Sequence, residues 1–201
     1  MATLDWVTLT EAKTVLRLTS TTANDTELTA LITAVSQRLD QAVGPVVIRT
    51  VTAETYDGAW QPMLQLNYWP VAAITTVVET TAVGASTTLT SAQYLCDYEK
   101  GQLWRRTGNW DYGWYIGREN VAVTYTAGRF ADTASVDGWW KQGAYMVLQQ
   151  MWRSRQWAAP GVAPTGDFQV PQVAYPAMSF PKAVVEWFGK EWREKDRGGF
   201  A

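Results

Sequence analysis

The chain contains no histidine, and its one cysteine is Cys96. Without histidine, the commonest general base and the commonest transition-metal ligand are missing, and so is any histidine-based catalytic triad. A single cysteine excludes an internal disulfide and any multi-cysteine zinc site. Basic residues are not in excess: 17 lysines and arginines face 19 acids in 201 residues, a net charge of −2. A protein that grips DNA through its phosphates carries a basic surplus or face, so this chain is not expected to hold nucleic acid. Long apolar runs are missing as well, and nothing approaches the roughly 20 residues that span a bilayer. The start, MATLDWVTLTEAK, has an early acid and no apolar signal core, so the chain reads as made in the cytosol. No cofactor, metal or membrane partner is expected.

Tryptophan, in contrast, is abundant, with 12 residues. Tryptophan fills cores and also anchors interfaces, so part of this supply is expected at contacts with other chains.

The pattern is helical at both ends. Thr8 and Glu11 have capping-box spacing and open an expected helix over Leu9–Leu18, with Ala12, Val15 and Leu16 on its apolar stripe. Asn24 and Glu27 repeat the spacing before a second helix, Asp25–Val43. Its Leu28, Leu31, Ile32, Val35, Leu39 and Val43 fall on one face, each contributing roughly 1.5–3 kcal/mol when buried. Gly44 then suits a left-handed C′ position and Pro45 forbids continuation.

From Val46 the period changes to two. VVIRTVTAETY, Met63–Leu66, Val71–Glu79, Tyr94–Cys96, Gln102–Arg106 and Val121–Thr126 read as short antiparallel strands separated by turn signals. VTYTAGRF ends this region. Gly128-Arg129 is read as punctuation rather than a phosphate loop, because no helix follows closely and no lysine is placed to reach a phosphate. Between the last two strands lies TGNWDYGWYIG. Its Trp110, Tyr112, Trp114 and Tyr115 form either a contact surface or a loop folded over the sheet.

A third helix is expected over Ser135–Trp157, with an apolar face wide enough to be central or shared with a neighbouring subunit. Residues 158–180 hold four prolines and few charges. Phe168 and Tyr175 are among their apolar residues, which suits an arm that orders against a partner. Pro181 then opens a closing helix over Lys182–Lys195 with Val184, Trp187, Phe188 and Trp192 on its stripe.

Catalytic constellations are weak. Asp97, Glu99 and Asp111 could form a carboxylate cluster, and a small hydrolase would use Asp97 and Asp111, but two of the three acids lie in turns and nothing pairs them. Cys96 reads as a small core residue. Arg105 and Arg106 could touch phosphate, or simply be exposed at a strand end. A carbohydrate-binding module using tryptophans near a sheet is a second alternative, which the capped helices at both ends oppose.

The order of these parts carries more than any one of them. LTEAKTVLRL is followed by ALITAVSQRLDQAVG, a sheet with LNYWPVAAITTVV, the Tyr94–Asp97 segment, GQLWR, VAVTYTAG, a helix ending MWRSR and the closing helix. In this order, from about Thr8 to Glu194, the chain resembles the head–tail connector proteins of long-tailed bacteriophages, the adaptors or head-completion proteins beneath the portal. The resemblance implies a non-enzymatic protein of the virion neck, assembled in the host cytoplasm. It implies a dodecameric ring that extends the channel through which DNA passes. The portal protein would bind above and a stopper or tail-completion protein below. The expected fold is α+β, a small helical bundle with an inserted antiparallel β subdomain. The divisions are 1–45 (N-terminal helices), 46–130 (inserted subdomain), 131–157 (long central helix), 158–180 (proline-rich arm) and 181–201 (C-terminal helix and tail). Portal binding is expected at Phe180, Trp187, Trp192, Arg193, Arg197 and Phe200. Contact with a subunit or neck partner is expected at Trp110, Tyr112, Trp114, Tyr115, Phe168 and Tyr175.

Overall fold

A computed structural model describes residues 4–19, 21–81, 84–157 and 180–192. The elements run α1 (Leu9–Leu16), α2 (Asp25–Val43), β1 (Arg49–Gly58), β2 (Met63–Gln65), β3 (Val71–Thr80), β4 (Ser86–Thr88), β5 (Tyr94–Asp97), β6 (Gln102–Thr107), β7 (Trp110–Asp111), β8 (Gly117–Ala127), α3 (Gly138–Trp157) and α4 (Lys182–Phe188). The fold is α+β. Two compact units divide it: Met1–Val43 with Val136–Ala201, and Gly44–Ser135.

In the helical unit, α1 begins at the expected capping box. The Glu11 N–H donates to Thr8 Oγ1 at 3.2 Å and the Thr8 N–H donates to Glu11 Oε2 at 2.7 Å, so two otherwise unbonded amides are satisfied together. The helix stops at Leu16 rather than Leu18, because Arg17 turns into the left-handed region at φ 60°. Helix α2 has the expected bounds and buries Leu28, Ile32, Val35, Leu39 and Val43. Helix α3 starts at Gly138 instead of Ser135. Ser135 is held in a local turn by Asp132 Oδ1 at 2.7 Å, and Asp137 caps the helix by accepting from the Trp139 N–H at 2.8 Å. Helix α4 is shorter than expected: it ends at Phe188, and a 3₁₀ turn follows over Gly189–Glu191.

The unit closes around aromatic rings. Trp6 is fully buried, donates from Nε1 to Asp40 Oδ1 at 2.9 Å, and meets Trp140 and Phe188 edge-on at 5.8 and 6.0 Å. Phe188 enters α3 at Gly143, where an added Cβ would lie 2.2 Å from the ring Cζ. Only glycine lets the two helices approach so closely there.

In the β unit, two antiparallel sheets have the orders β1-β8-β3-β4 and β2-β6-β5, and β7 pairs with β6. The β-branched alternation of β3 and β8 faces Val77, Val121, Val123 and Tyr125 inward, where they share one core with Leu64, Leu66 and Leu103 from the second sheet. Cys96 is half-buried against that core. The Tyr56 and Tyr125 hydroxyls both donate to Glu54 Oε2, the second at 2.6 Å. Burial first, and then the acceptor carboxylate, pushes both phenols far above their ordinary range, so they remain neutral donors.

VTYTAGRF is punctuation, as expected. Gly128 sits at φ 139°, and a Cβ there would meet the Ile48 backbone at 2.6 Å. The next two N–H groups, of Arg129 and Phe130, donate to the Val46 carbonyl at 2.8 and 2.9 Å.

Candidate contact surfaces

The aromatic loop of the β unit divides its side chains. Trp110, on the short strand β7, is 82% exposed. Tyr112 is exposed too, lies 6.0 Å from the Trp60 ring, and has the Arg105 guanidinium 5.4 Å from its centroid. Trp60, beside Tyr112, is exposed as well, and so is Ile116. Nothing in the period-two pattern marks Trp60, which lies between strands with φ 60°.

Trp114 differs from the expected contact residue. It is 1% exposed, a member of the core shared by the two sheets. Its backbone is strapped to the β1–β2 connection: the Trp114 N–H donates to the Gln61 carbonyl and the Trp60 N–H donates to the Trp114 carbonyl, both at 3.1 Å. Tyr115 is half-buried, and its N–H donates to Glu79 Oε1 at 2.8 Å.

The same Glu79 carboxylate accepts from Arg105 Nε at 3.3 Å, with both side chains 9% exposed. Arg105 also donates to the carbonyls of Gln93 and Arg106. Arg105 is therefore neither a phosphate contact nor an exposed strand end. One buried carboxylate joins β3, β6 and the aromatic loop, and a pair closed in this way fixes the loop's course.

Asp97 and Asp111 do not converge. Asp97 pairs with Gln102 and Asp111 with Arg106 on the same strand, four residues apart and so about 13 Å. Asp97 Oδ1 accepts from the Glu99 and Lys100 N–H groups, as turn acids do. Among the described residues, no group of three or more His, Cys, Asp or Glu side chains could hold a metal, and no helix is long and apolar enough to cross a membrane.

The helical unit presents a second surface. Trp139 of α3 and Trp187 of α4 are 38% and 37% exposed and stack at 6.0 Å and 24°. The Trp187 indole N–H donates to the Trp139 carbonyl at 3.0 Å. Phe180 is half-buried, edge-on to Trp192 at 4.7 Å, with the Arg38 guanidinium 5.1 Å over its ring. Trp192 itself is buried against Phe188. Arg193, Arg197, Phe200, Phe168 and Tyr175 lie outside the described residues.

A model of the head completion proteins matches residues 5–162. The chain belongs to the head completion protein family. Helix α4 and its Trp187 lie beyond the matched part of this family member. Its fold is similar to that of a chain in the neck of an empty gene transfer agent particle computed with C6 symmetry. That likeness has 18% identity and a TM-score of 0.57, and covers 83% of this chain and 88% of the other. A chain of the native gene transfer agent virion is also similar, at 16% identity and a TM-score of 0.52, covering 93% and 89%. No curated protein matches this head completion protein.

Proposed function

We propose that this head completion protein is a non-enzymatic adaptor in the neck of a phage-like particle. Copies form a dodecameric ring beneath the portal, extend the DNA channel, and carry a stopper or tail-completion protein on the far side. The observation that carries this reading is family membership over residues 5–162. The fold likeness to chains from gene transfer agent particles supports it. So does the net charge of −2, since a channel lined with cations would hold DNA instead of letting it slide. The protein assembles in the host cytoplasm and resides in the virion neck.

In this reading the Trp139–Trp187 surface, with Phe180 beside it, faces the portal, aided by Arg193, Arg197 and Phe200. Trp192 acts from beneath by supporting the Phe180 ring. Trp110 and Tyr112 contact a neighbouring subunit or the next neck protein, with Phe168 and Tyr175 in the same role. Burial of Trp114 removes a side chain on which a carbohydrate-binding reading depends.

Removing everything after Ser179 is a poor test, because Val184 and Phe188 are core residues of the helical unit. The double substitution Trp139→Ala with Trp187→Ala is better, since both side chains are over a third exposed. The variant should fold, yet fail to join heads to tails when it replaces the wild type during particle assembly. A full yield of tailed particles by electron microscopy would sink the portal assignment. Micrographs of the purified protein with and without portal test the ring.

A further inference from the structure

Every main-chain N–H and C=O of Trp114 and Tyr115 is bonded. The Trp114 N–H donates to the Gln61 carbonyl and its carbonyl accepts from the Trp60 N–H, both at 3.1 Å. The Tyr115 N–H donates to Glu79 Oε1 at 2.8 Å, and its carbonyl accepts from Asn120 Nδ2 at 2.7 Å. A mobile loop leaves such groups to water, so this part of the aromatic loop is held.

Asn120 does more than close this strap. It lies on β8, and its Oδ1 accepts from the N–H of Gly58, the last residue of β1, at 2.8 Å. Its Nδ2 also donates to the carbonyl of Thr80, the last residue of β3, at 3.2 Å. One side-chain amide thus joins the ends of β1 and β3 to the aromatic loop, using its donors and its acceptor together. It grips the chain at Gly58, two residues before Trp60, and at Tyr115, three residues after Tyr112.

The backbone makes room for these bonds. A Cβ at Gly58 would lie 1.8 Å from the Tyr115 carbonyl oxygen, and one at Gly113 would lie 2.6 Å from that of Trp60. Only glycine permits so close an approach. Trp60 itself sits at φ 60°, a conformation that a bulky residue keeps only where its surroundings impose it. The outcome is on the surface: the Trp60 ring is 57% exposed and lies beside Tyr112 at 6.0 Å.

We propose that Asn120 is the positioning residue of the contact surface on the β unit. It presents Trp60 and Tyr112 already ordered, and neck assembly depends on it although it adds no ring to that surface. This rests on the reading that Tyr112 meets a neighbouring subunit or the next neck protein. A partner that meets rings already in place loses no affinity to ordering them. Without the clamp the loop must be ordered on contact, and the contact weakens.

Amide exchange of the full-length protein and electron microscopy of assembled particles test this. In Asn120→Ala, the Trp60, Trp114 and Tyr115 amides should exchange about tenfold faster or more, while Val77, Val123 and Tyr125 of the four-stranded sheet stay unchanged. The yield of tailed particles built with that variant should fall by about tenfold as well. Equal acceleration throughout the sheet would make Asn120 a stability residue only and overturn the proposal. Unchanged loop exchange, or a full yield of particles despite a faster loop, overturns it too. Trp60→Ala with Tyr112→Ala tests the reading beneath it: a full yield from that double variant sinks the contact surface and the positioning role together. A low yield from the double variant beside a full yield from Asn120→Ala sinks the positioning role alone. If Asn120→Ala does not fold, Asn120→Asp keeps the shape and the acceptor for Gly58, loses both donors, and should give the same pattern.

Discussion

Arg105 donates from Nε to Glu79 Oε2 at 3.3 Å across the two sheets, and Glu79 Oε1 holds the Tyr115 N–H on the other side at 2.8 Å. Removing one partner of a buried pair leaves an uncompensated charge, which costs about 3–5 kcal/mol. Glu79→Ala should therefore destabilise the β unit by about that amount in urea denaturation. The double substitution Glu79→Leu with Arg105→Met should recover much of the loss. A single variant within about 0.5 kcal/mol of wild type would show that the pair contributes little.

Gly143 makes a different prediction. Any side chain there collides with the Phe188 ring, which is itself buried at 2% exposure. Gly143→Leu should cost about 1–3 kcal/mol by overpacking and should lift α4 from α3. Limited proteolysis should then cut near Phe180 faster than in the wild type. Unchanged cleavage would place Phe188 elsewhere in solution.

The third prediction concerns pH. Glu11 accepts from Lys141 Nζ at 2.7 Å and from Thr8. Burial alone would raise its pKa, but the hydrogen bonds from Lys141 and Thr8 outweigh it, and the folded value falls below the ordinary 4.5. A carboxylate depressed in this way stabilises the fold at pH values above 4.5, and that contribution disappears as pH falls through the folded value. Urea midpoints of wild type and Glu11→Gln should differ near neutrality and converge in acid. A gap that persists at low pH would contradict the assignment.

Cys96 gives the fourth. Burial, and then the nearby Asp97 charge, pushes its thiol up to about 11. Alkylation by iodoacetamide at pH ~8 should run on the order of 100-fold slower than for a free cysteine peptide, and should accelerate steadily with pH. Labelling at the peptide's rate would mean that the thiol is not sequestered.

How far these features are legible in the sequence depends on the range of the interaction. The capping box at Thr8 and Glu11, the stripe of α2 and the β-branched run of β3 are local patterns, and each marks its element within a residue or two. The order of elements was enough to suggest the family. Trp6 and Ser36 pair across 30 residues, Glu79 and Arg105 across 26. No spacing rule joins such partners. Arg105 looks like any strand-end arginine until the fold brings a carboxylate to it. Trp110 and Trp114 lie four residues apart in one glycine- and aromatic-rich loop, and their different fates, one exposed and one in the core and strapped to Gln61, depend on contacts distant in sequence. Trp60 is silent in the sequence for a related reason: an aromatic residue in a turn carries no periodic mark.

The discontinuity of the helical unit has a consequence for synthesis on the ribosome. The β unit is one uninterrupted stretch, Gly44–Ser135, and can close its core as soon as that stretch emerges. The helical unit cannot. Trp6 and α1 leave the ribosome first, yet Phe188, whose ring fits the notch at Gly143 and meets Trp6, leaves 182 residues later. The N-terminal helices are therefore made well before α3 and α4, against which they pack, and the β unit is completed in the interval.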